Sequence, residues 1–436
     1  MPKQKRVLTA WLQSAPPPAF AGYAIVASFS VYFFMFAFRK PFAAAQYEGL
    51  SFLGTKVDLK TALVIGQVLG YGLCKYAGIK FCSEIGRATR ANALVLLILL
   101  AEAAWLLFGV LPNDWKVVAV FLNGFPLGMI WGLIVWYLEG RRTSELLLAG
   151  MSCSYIVASG LFKDIGLVMM TTFDMPEPWM PAVTGLCFLP AYLLAVWMLN
   201  QLPEPDLQDV AARVRREPMT AAERLAFVKR FLPGLLLLLV VYFFLNAYRE
   251  YRDNFGREMF LELGYDGMPA MFTRAELVVA FGVMAALAAL NLIQDNRRGL
   301  LGAFAIMACG TLLLGVSTLL LQLGHISGFS WMVAVGLGAY LAYVPFGSVL
   351  FDRLIASTRA IGTAVFAIYI ADALGYTGTI SVMLYSDLAQ GDVSRLDFFR
   401  GLTCFMSALG TLLLAAGCVY FFVKSRASTP PGEPPA

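Results

Sequence analysis

The residues able to do chemistry in this chain are charged side chains standing inside stretches that are otherwise apolar. Arg39 and Lys40 close the first such stretch, Lys75 lies in the second, Glu102 in the third, Lys163 and Asp164 in the fifth, Arg249, Glu250 and Arg252 in the seventh, and Asp372 in the eleventh. A charged group at the centre of a bilayer costs about 2.5–3.5 kcal/mol even on the lenient insertion scale, so such groups face a cavity, a partner or a ligand. The spacing repeats: Arg39 and Arg249 are 210 residues apart, and Lys163 and Asp372 are 209 apart. Two guanidiniums aimed at one point repel unless an anion sits between them, and the planar fork of arginine matches a phosphate or carboxylate bidentately. The chemistry expected is therefore non-covalent capture of an anionic solute, with Arg249 or Arg252 as the partner of Arg39 and Lys75 in support. A plainer reading stands beside it. Arg39 and Lys40 would mark a helix end by reaching to the headgroups, Arg249, Glu250 and Arg252 would form an internally paired triplet, and Lys163 with Asp164, and Glu102, would be contacts inside a helix bundle.

Other chemistries find no support. The seven cysteines (Cys74, Cys82, Cys153, Cys187, Cys309, Cys404 and Cys418) are scattered and never spaced as C-x-x-C, so they read as small apolar helix residues, without disulfide or metal site. The single histidine, His325, falls in an expected short loop. No G-x-S-x-G elbow, H-E-x-x-H or P-loop occurs, which argues against an enzyme, against a cofactor and against an ATP-driven pump. The basic residues lie where membrane topology accounts for them, so nucleic acid is not expected as a partner.

The elements that must position these groups follow from hydropathy. The 436 residues are 59% hydrophobic and 14% charged, with a mean hydropathy of +0.71, whereas soluble domains use roughly 25% charged residues. A spanning helix takes about 20 apolar residues. Apolar stretches fall at about residues 20–39, 60–81, 91–111, 117–138, 146–171 and 179–200, and again at about 232–252, 275–294, 300–323, 329–351, 360–385 and 398–423. The expected fold is all-α and polytopic: twelve transmembrane helices in two pseudo-symmetric halves, 1–201 and 231–427. Between them, 202–230 carries Pro203, Pro205, Pro218 and six basic residues and reads as a cytoplasmic linker, with Thr220 and Glu223 as a capping box opening a short surface helix. The Pro-rich tail, 428–436, is expected to be disordered. The basic start, Met1 to Arg6, has no small-residue cleavage site after a short apolar core, so the first span should stay in the bilayer. Counting Lys and Arg by side places both termini in the cytoplasm: Lys3, Lys5, Arg6, Arg87, Arg90, Arg141, Arg142, the linker, Arg297, Arg298, Arg353, Arg359, Lys424 and Arg426 then share one face.

Tyr32 through Lys40 reads Tyr-Phe-Phe-Met-Phe-Ala-Phe-Arg-Lys, which resembles the first helix of the organophosphate:phosphate antiporters of the major facilitator superfamily. Tyr71-Gly72-Leu73-Cys74-Lys75 is similar to that family's Tyr-Gly-x-x-Lys, Gly124 to Trp131 to its fourth helix, Tyr248-Arg249 with Asp253 to its seventh, and Ile361-Gly362-Thr363-Ala364 and Gly375-Tyr376-x-Gly378 to its eleventh. The resemblance implies that Arg39, with Lys40 and Tyr32, binds phosphate, that Tyr71 and Lys75 face the substrate, that Arg249 completes the clamp and that Tyr376 lines the cavity. Departures are visible. Phe36 stands where the family has a second tyrosine, its fifth-helix histidine falls near Ala158 or Ser159 with Lys163 about a turn further on, and its loop signature is reduced to Ser83-Glu84-Ile85-Gly86-Arg87. Its eighth-helix glutamate corresponds to Glu276, about one turn early, and Asp372 has no acidic counterpart.

The function expected is secondary transport by alternating access in the inner membrane. A monomer would move a small anionic solute, such as an organophosphate, in exchange for phosphate. The glycines and prolines Gly124, Pro126, Gly128, Pro345 and Gly347 would permit close packing and bending. Two alternatives remain open: a proton-coupled organic anion symporter, with Asp372 and Lys163 in coupling and Lys75 neutralising Asp372, and a transporter-like sensor without turnover.

Overall fold

The computed structural model describes residues 7–138, 144–204, 221–266, 268, 270–358, 364–388 and 393–427. The described residues form fifteen α-helices with no strand; a single isolated bridge joins Ser51 and Asp58. In chain order they are α1 Val7–Ser14, α2 Pro17–Met35, α3 Leu59–Glu84, α4 Arg87–Val110, α5 Lys116–Leu138, α6 Ser144–Thr171, α7 Met180–Leu199, α8 Ala221–Asn254, α9 Gly256–Glu262, α10 Met271–Asn291, α11 Asn296–Gln322, α12 Gly328–Ser348, α13 Leu350–Thr358, α14 Ala364–Leu388 and α15 Arg395–Ala427. Eleven helices are long and apolar enough to cross a membrane, and the apolar part of α3, Leu59–Cys74, is a shorter candidate. With the three short helices α1, α9 and α13 set aside, the twelve-helix expectation is met, and the chain is a multi-pass membrane protein.

Local chemistry sets the ends. Proline occupies the first turn of α2, where an N–H would have no intrahelical partner. Asp295 caps α11 by accepting the Arg298 N–H at 2.6 Å, and Ser327 caps α12 by accepting the Ser330 N–H at 3.2 Å. One expectation is corrected. Among the described residues the helix after the polar break is not a short separate one: α8 runs unbroken from Ala221 to Asn254 through Pro233, so residues 221–230 are the first turns of the seventh span. Thr220, the proposed cap, the tail 428–436 and the motif Ile361-Gly362-Thr363 lie outside the described residues.

The chain divides into two compact units, Met1–Arg215 with Pro269–Thr273, and Arg216–Met268 with Arg274–Ala436. In the first, α3 and α5 approach closely because glycine faces backbone: a Cβ on Gly124 would lie 2.5 Å from the Gln67 carbonyl oxygen, and one on Gly70 2.2 Å from that of Phe121. In the second, α14 meets α8 the same way, a Cβ on Gly378 falling 2.2 Å from the Phe243 carbonyl oxygen. Lipid tails supply no hydrophobic drive between helices, so such small-residue contacts carry the packing. Gly124 and Gly128 thus serve close packing as expected, whereas Gly347 faces open space.

Candidate functional site

In the first unit the α-helix that carries the arginine stops early. α2 ends at Met35, and the chain continues as two 3₁₀ turns, Phe36–Phe38 and Pro41–Ala44, with Arg39 and Lys40 between them. Pro41 lacks the N–H a continuing helix would need. Phe36 to Ala45 is buried apart from half-buried Arg39, so the released carbonyls must find donors within the protein. They do. Phe38 O accepts from Trp105 Nε1 at 2.6 Å and Asn123 Nδ2 at 3.0 Å, Arg39 O from Gln67 Nε2 at 3.1 Å, and Ala43 O from Lys60 Nζ at 3.0 Å. Gln67 Nε2 also donates to Asn123 Oδ1 at 3.1 Å. Side chains of α3, α4 and α5 thereby fix the backbone on which Arg39 stands.

The Arg39 guanidinium lies over the Tyr71 ring, 4.4 Å from its centroid, and 5.5 Å from that of Phe36, whose edge meets Tyr32 at 5.6 Å. Tyr32, Phe36, Arg39 and Tyr71 are therefore one cluster, and Phe36 supplies a ring face where the resemblance led us to expect a hydroxyl. Lys40 is 2% exposed; a side chain reaching to headgroups would not be enclosed in this way. The side chain of Lys75 lies outside the described residues, although its helix, α3, is described. Buried Lys163 sits 5.0 Å from the Phe272 ring. Its neighbour Asp164 accepts the N–H groups of Phe272 and Thr273 at 3.2 and 2.6 Å and the Thr273 hydroxyl at 2.5 Å, all within the first unit.

The second unit holds a denser network. Arg249 donates to Glu250 Oε1 at 2.7 Å and Asn246 Oδ1 at 3.2 Å, and its guanidinium lies 4.5 Å from the Tyr343 ring centroid. Glu250 in turn accepts from Asn254 at 3.1 Å. Arg252 is held differently, donating to Glu276 at 2.7 Å and to the Met332 carbonyl at 2.9 Å, with Gly336 leaving the room its guanidinium fills. The two arginines, three residues apart, thus take separate partners, and Glu276 is the counter-ion of Arg252. The half-buried carboxylate of Asp372 accepts the Tyr242 hydroxyl at 2.6 Å, and the Tyr242 and Tyr343 hydroxyls share a hydrogen bond at 3.2 Å in which Tyr242, its own hydrogen already donated to Asp372, accepts. Tyr376 is half-buried on α14. Asp372, Tyr242, Tyr343, Arg249 and Glu250 therefore form one contiguous set.

Several members of these clusters were not singled out from sequence. Gln67 and Asn123 are polar amides inside apolar spans, and the rule that isolates intramembrane charges would have found them. Tyr242 and Tyr343 carry no such mark, because aromatic residues are common in every span. Beyond the spans, Tyr47 is buried, and that burial, with Glu177 nearby, raises its phenol pKa well above the usual value of 10.0. Among the described residues no group of three or more His, Cys, Asp or Glu is placed to hold a metal ion.

A family model described as a family of unknown function (DUF5690) matches residues 41–424. No curated protein sequence matches the chain. Among solved structures, that of a D-xylose-proton symporter is similar at a TM-score of 0.61 and 14% identity, covering 92% of this chain and 97% of its own. A bacterial homologue of the human drug peptide transporters PepT1 and PepT2 gives 0.59 and 13%, covering 94% and 100%. The nucleoside transporter NupG gives 0.58 and 12%, covering 92% and 98%. The architecture held in common is the major facilitator fold.

Proposed function

Because the chain belongs to the DUF5690 family, a family of unknown function, and has the major facilitator fold, we propose that it is a secondary transporter working by alternating access on a small anionic solute. The observation that carries this reading is that each unit holds an arginine close over a tyrosine ring: Arg39 at 4.4 Å from the Tyr71 centroid and Arg249 at 4.5 Å from that of Tyr343. A ring against the face of a guanidinium fixes its plane and directs its N–H groups outward from the edge, the orientation in which arginine grips phosphate or carboxylate. Arg39 is the principal anion ligand in this proposal, with Lys40, Tyr32, Tyr71 and Lys75 around it and Tyr376 lining the path. Arg249, in the second unit, is proposed as a further anion ligand, exchanging Glu250 for the solute. Arg252, bonded to Glu276 and the Met332 carbonyl, is assigned to holding the second unit together. We further propose a monomer in the inner membrane; both termini are assigned to the cytoplasm on the distribution of Lys and Arg.

Binding can be tested without knowing the solute. Thermal unfolding of the purified full chain would be followed with inorganic phosphate, phosphate esters, carboxylates and neutral sugars. A ligand at 100 times its Kd stabilises by about 2.7 kcal/mol. The reading predicts that an anion raises the midpoint and that Arg39→Ala abolishes the shift; stabilisation by neutral sugars alone would contradict it. A second reading, proton coupling of anion uptake, is favoured by Asp372, whose carboxylate accepts the Tyr242 hydroxyl beside the arginine-bearing Tyr343. It places Asp372 and Lys163 in coupling, and is distinguished by uptake that follows an imposed proton gradient.

A further inference from the structure

Glu102, on α4 in the first unit, is 3% exposed, and neither carboxyl oxygen has a hydrogen-bond partner. Its place in the fold is made for it. Glycine at position 185 of α7 leaves room for Oε2, which a Cβ there would meet, and the Phe38 ring closes the same notch. Of the titratable groups on the elements packed against α4, Cys187 on α7 is exposed on the protein surface and the others are engaged elsewhere. Tyr192 on α7 donates to the Leu94 carbonyl at 3.2 Å, and Lys116 at the start of α5 to Leu111 O and Asn113 at 2.8 and 2.9 Å. Tyr137 at the far end of α5 donates to Asn200 at 3.3 Å, and Arg39, beyond the 3₁₀ turn, lies on Tyr71. A carboxylate enclosed without donor or cation is far more costly than the neutral acid, which carries no net charge to desolvate.

The Asn123 amide is bonded to the backbone beside Glu102. It bonds Ala101 O at 3.1 Å, one residue before Glu102, and Phe38 O at 3.0 Å, one residue before Arg39. We propose that Glu102 is a proton-binding site: its side chain is the neutral acid in this conformation, and release of the proton draws the Asn123 amide from the Ala101 and Phe38 carbonyls, loosening the backbone under Arg39. The step is Glu102–COOH giving Glu102–COO⁻ and a proton delivered to bulk water; the reverse takes a proton from the aqueous phase. Gln67, bonded to both Asn123 and Arg39 O, extends the same linkage. The inference concerns a proton and is independent of the solute, so it stands or falls separately from the anion reading.

Infrared spectroscopy of the full chain reconstituted in lipid tests it directly. At neutral pH the wild type should show the carbonyl stretch of a protonated, weakly hydrogen-bonded carboxyl, shifting in D₂O. Glu102→Gln, which matches the neutral acid in shape, should lose that band, and Asp164→Asn and Asp372→Asn should keep it. Glu102→Asp, still an acid, should restore a band at a displaced frequency, which separates loss of the proton from loss of the fold. A wild-type spectrum without the band, or a band unchanged in Glu102→Gln, would overturn the proposal.

Discussion

Arg249 and Arg252 are three residues apart on one helix, and the structure gives them different partners. Arg252→Met removes the partner that Glu276 meets at 2.7 Å, where the two side chains are 5% and 6% exposed. Breaking a buried ion pair from one side costs about 3–5 kcal/mol, because the remaining charge is stranded, whereas replacing both members with apolar residues is often neutral or better. The single variant should therefore unfold at markedly lower denaturant in mixed micelles, and Arg252→Met combined with Glu276→Leu should recover most of the loss. Arg249→Met also strands a carboxylate, Glu250, but Asn254 still donates to it and the Arg249 side chain is 14% exposed. Its stability cost should be the smaller of the two. If Arg252→Met matched the wild type, or the double variant were no better than the single, the assignment of Arg252 to structure would be wrong.

Gly124→Ala would push a methyl to 2.5 Å from the Gln67 carbonyl oxygen; overpacking of this kind costs about 1–3 kcal/mol, and thermal unfolding should show it together with weakened anion binding, since Gln67 also holds Arg39 O. Tyr242→Phe deletes the 2.6 Å bond to Asp372, a hydrogen bond to a charged group worth about 1.5–3 kcal/mol, and should lower stability while shifting the pH dependence of flux; unchanged behaviour in both assays would remove Asp372 from coupling. Tyr47 has a raised folded-state pKa, first from burial and then from Glu177. Its contribution is therefore whole below the unfolded value of about 10 and lost as pH rises toward the folded one, at about 1.4 kcal/mol per unit; Tyr47→Phe should flatten the alkaline limb of the stability profile.

Span number and order were legible in the sequence because hydropathy reports burial in lipid residue by residue. The break in the first span was not. Its apolar run continues to Phe38, and only the carbonyl bonds from Trp105, Asn123 and Gln67 make two 3₁₀ turns affordable at depth. The union of the seventh span with residues 221–230 was hidden by Lys229, Arg230 and Pro233, which read as a boundary although α8 runs through them. The site shows the same division. Charges in apolar spans mark Arg39, Arg249 and Asp372, but pairing is a matter of three-dimensional direction, so the separation of Arg249–Glu250 from Arg252–Glu276 had no signature in spacing. Glu102 was read as a bundle contact, and its lack of any partner emerges only when the neighbours on α5 and α7 are in place.

The central claim, that the chain moves an anion gripped by Arg39, is tested most directly by flux. Proteoliposomes loaded with phosphate would be given phosphate esters and carboxylates, with the wild type and Arg39→Ala compared. Uptake that requires internal phosphate and vanishes in Arg39→Ala is the predicted result. Equal uptake by the two proteins, or tight binding with no flux in either, would contradict it, the latter pointing to a sensor.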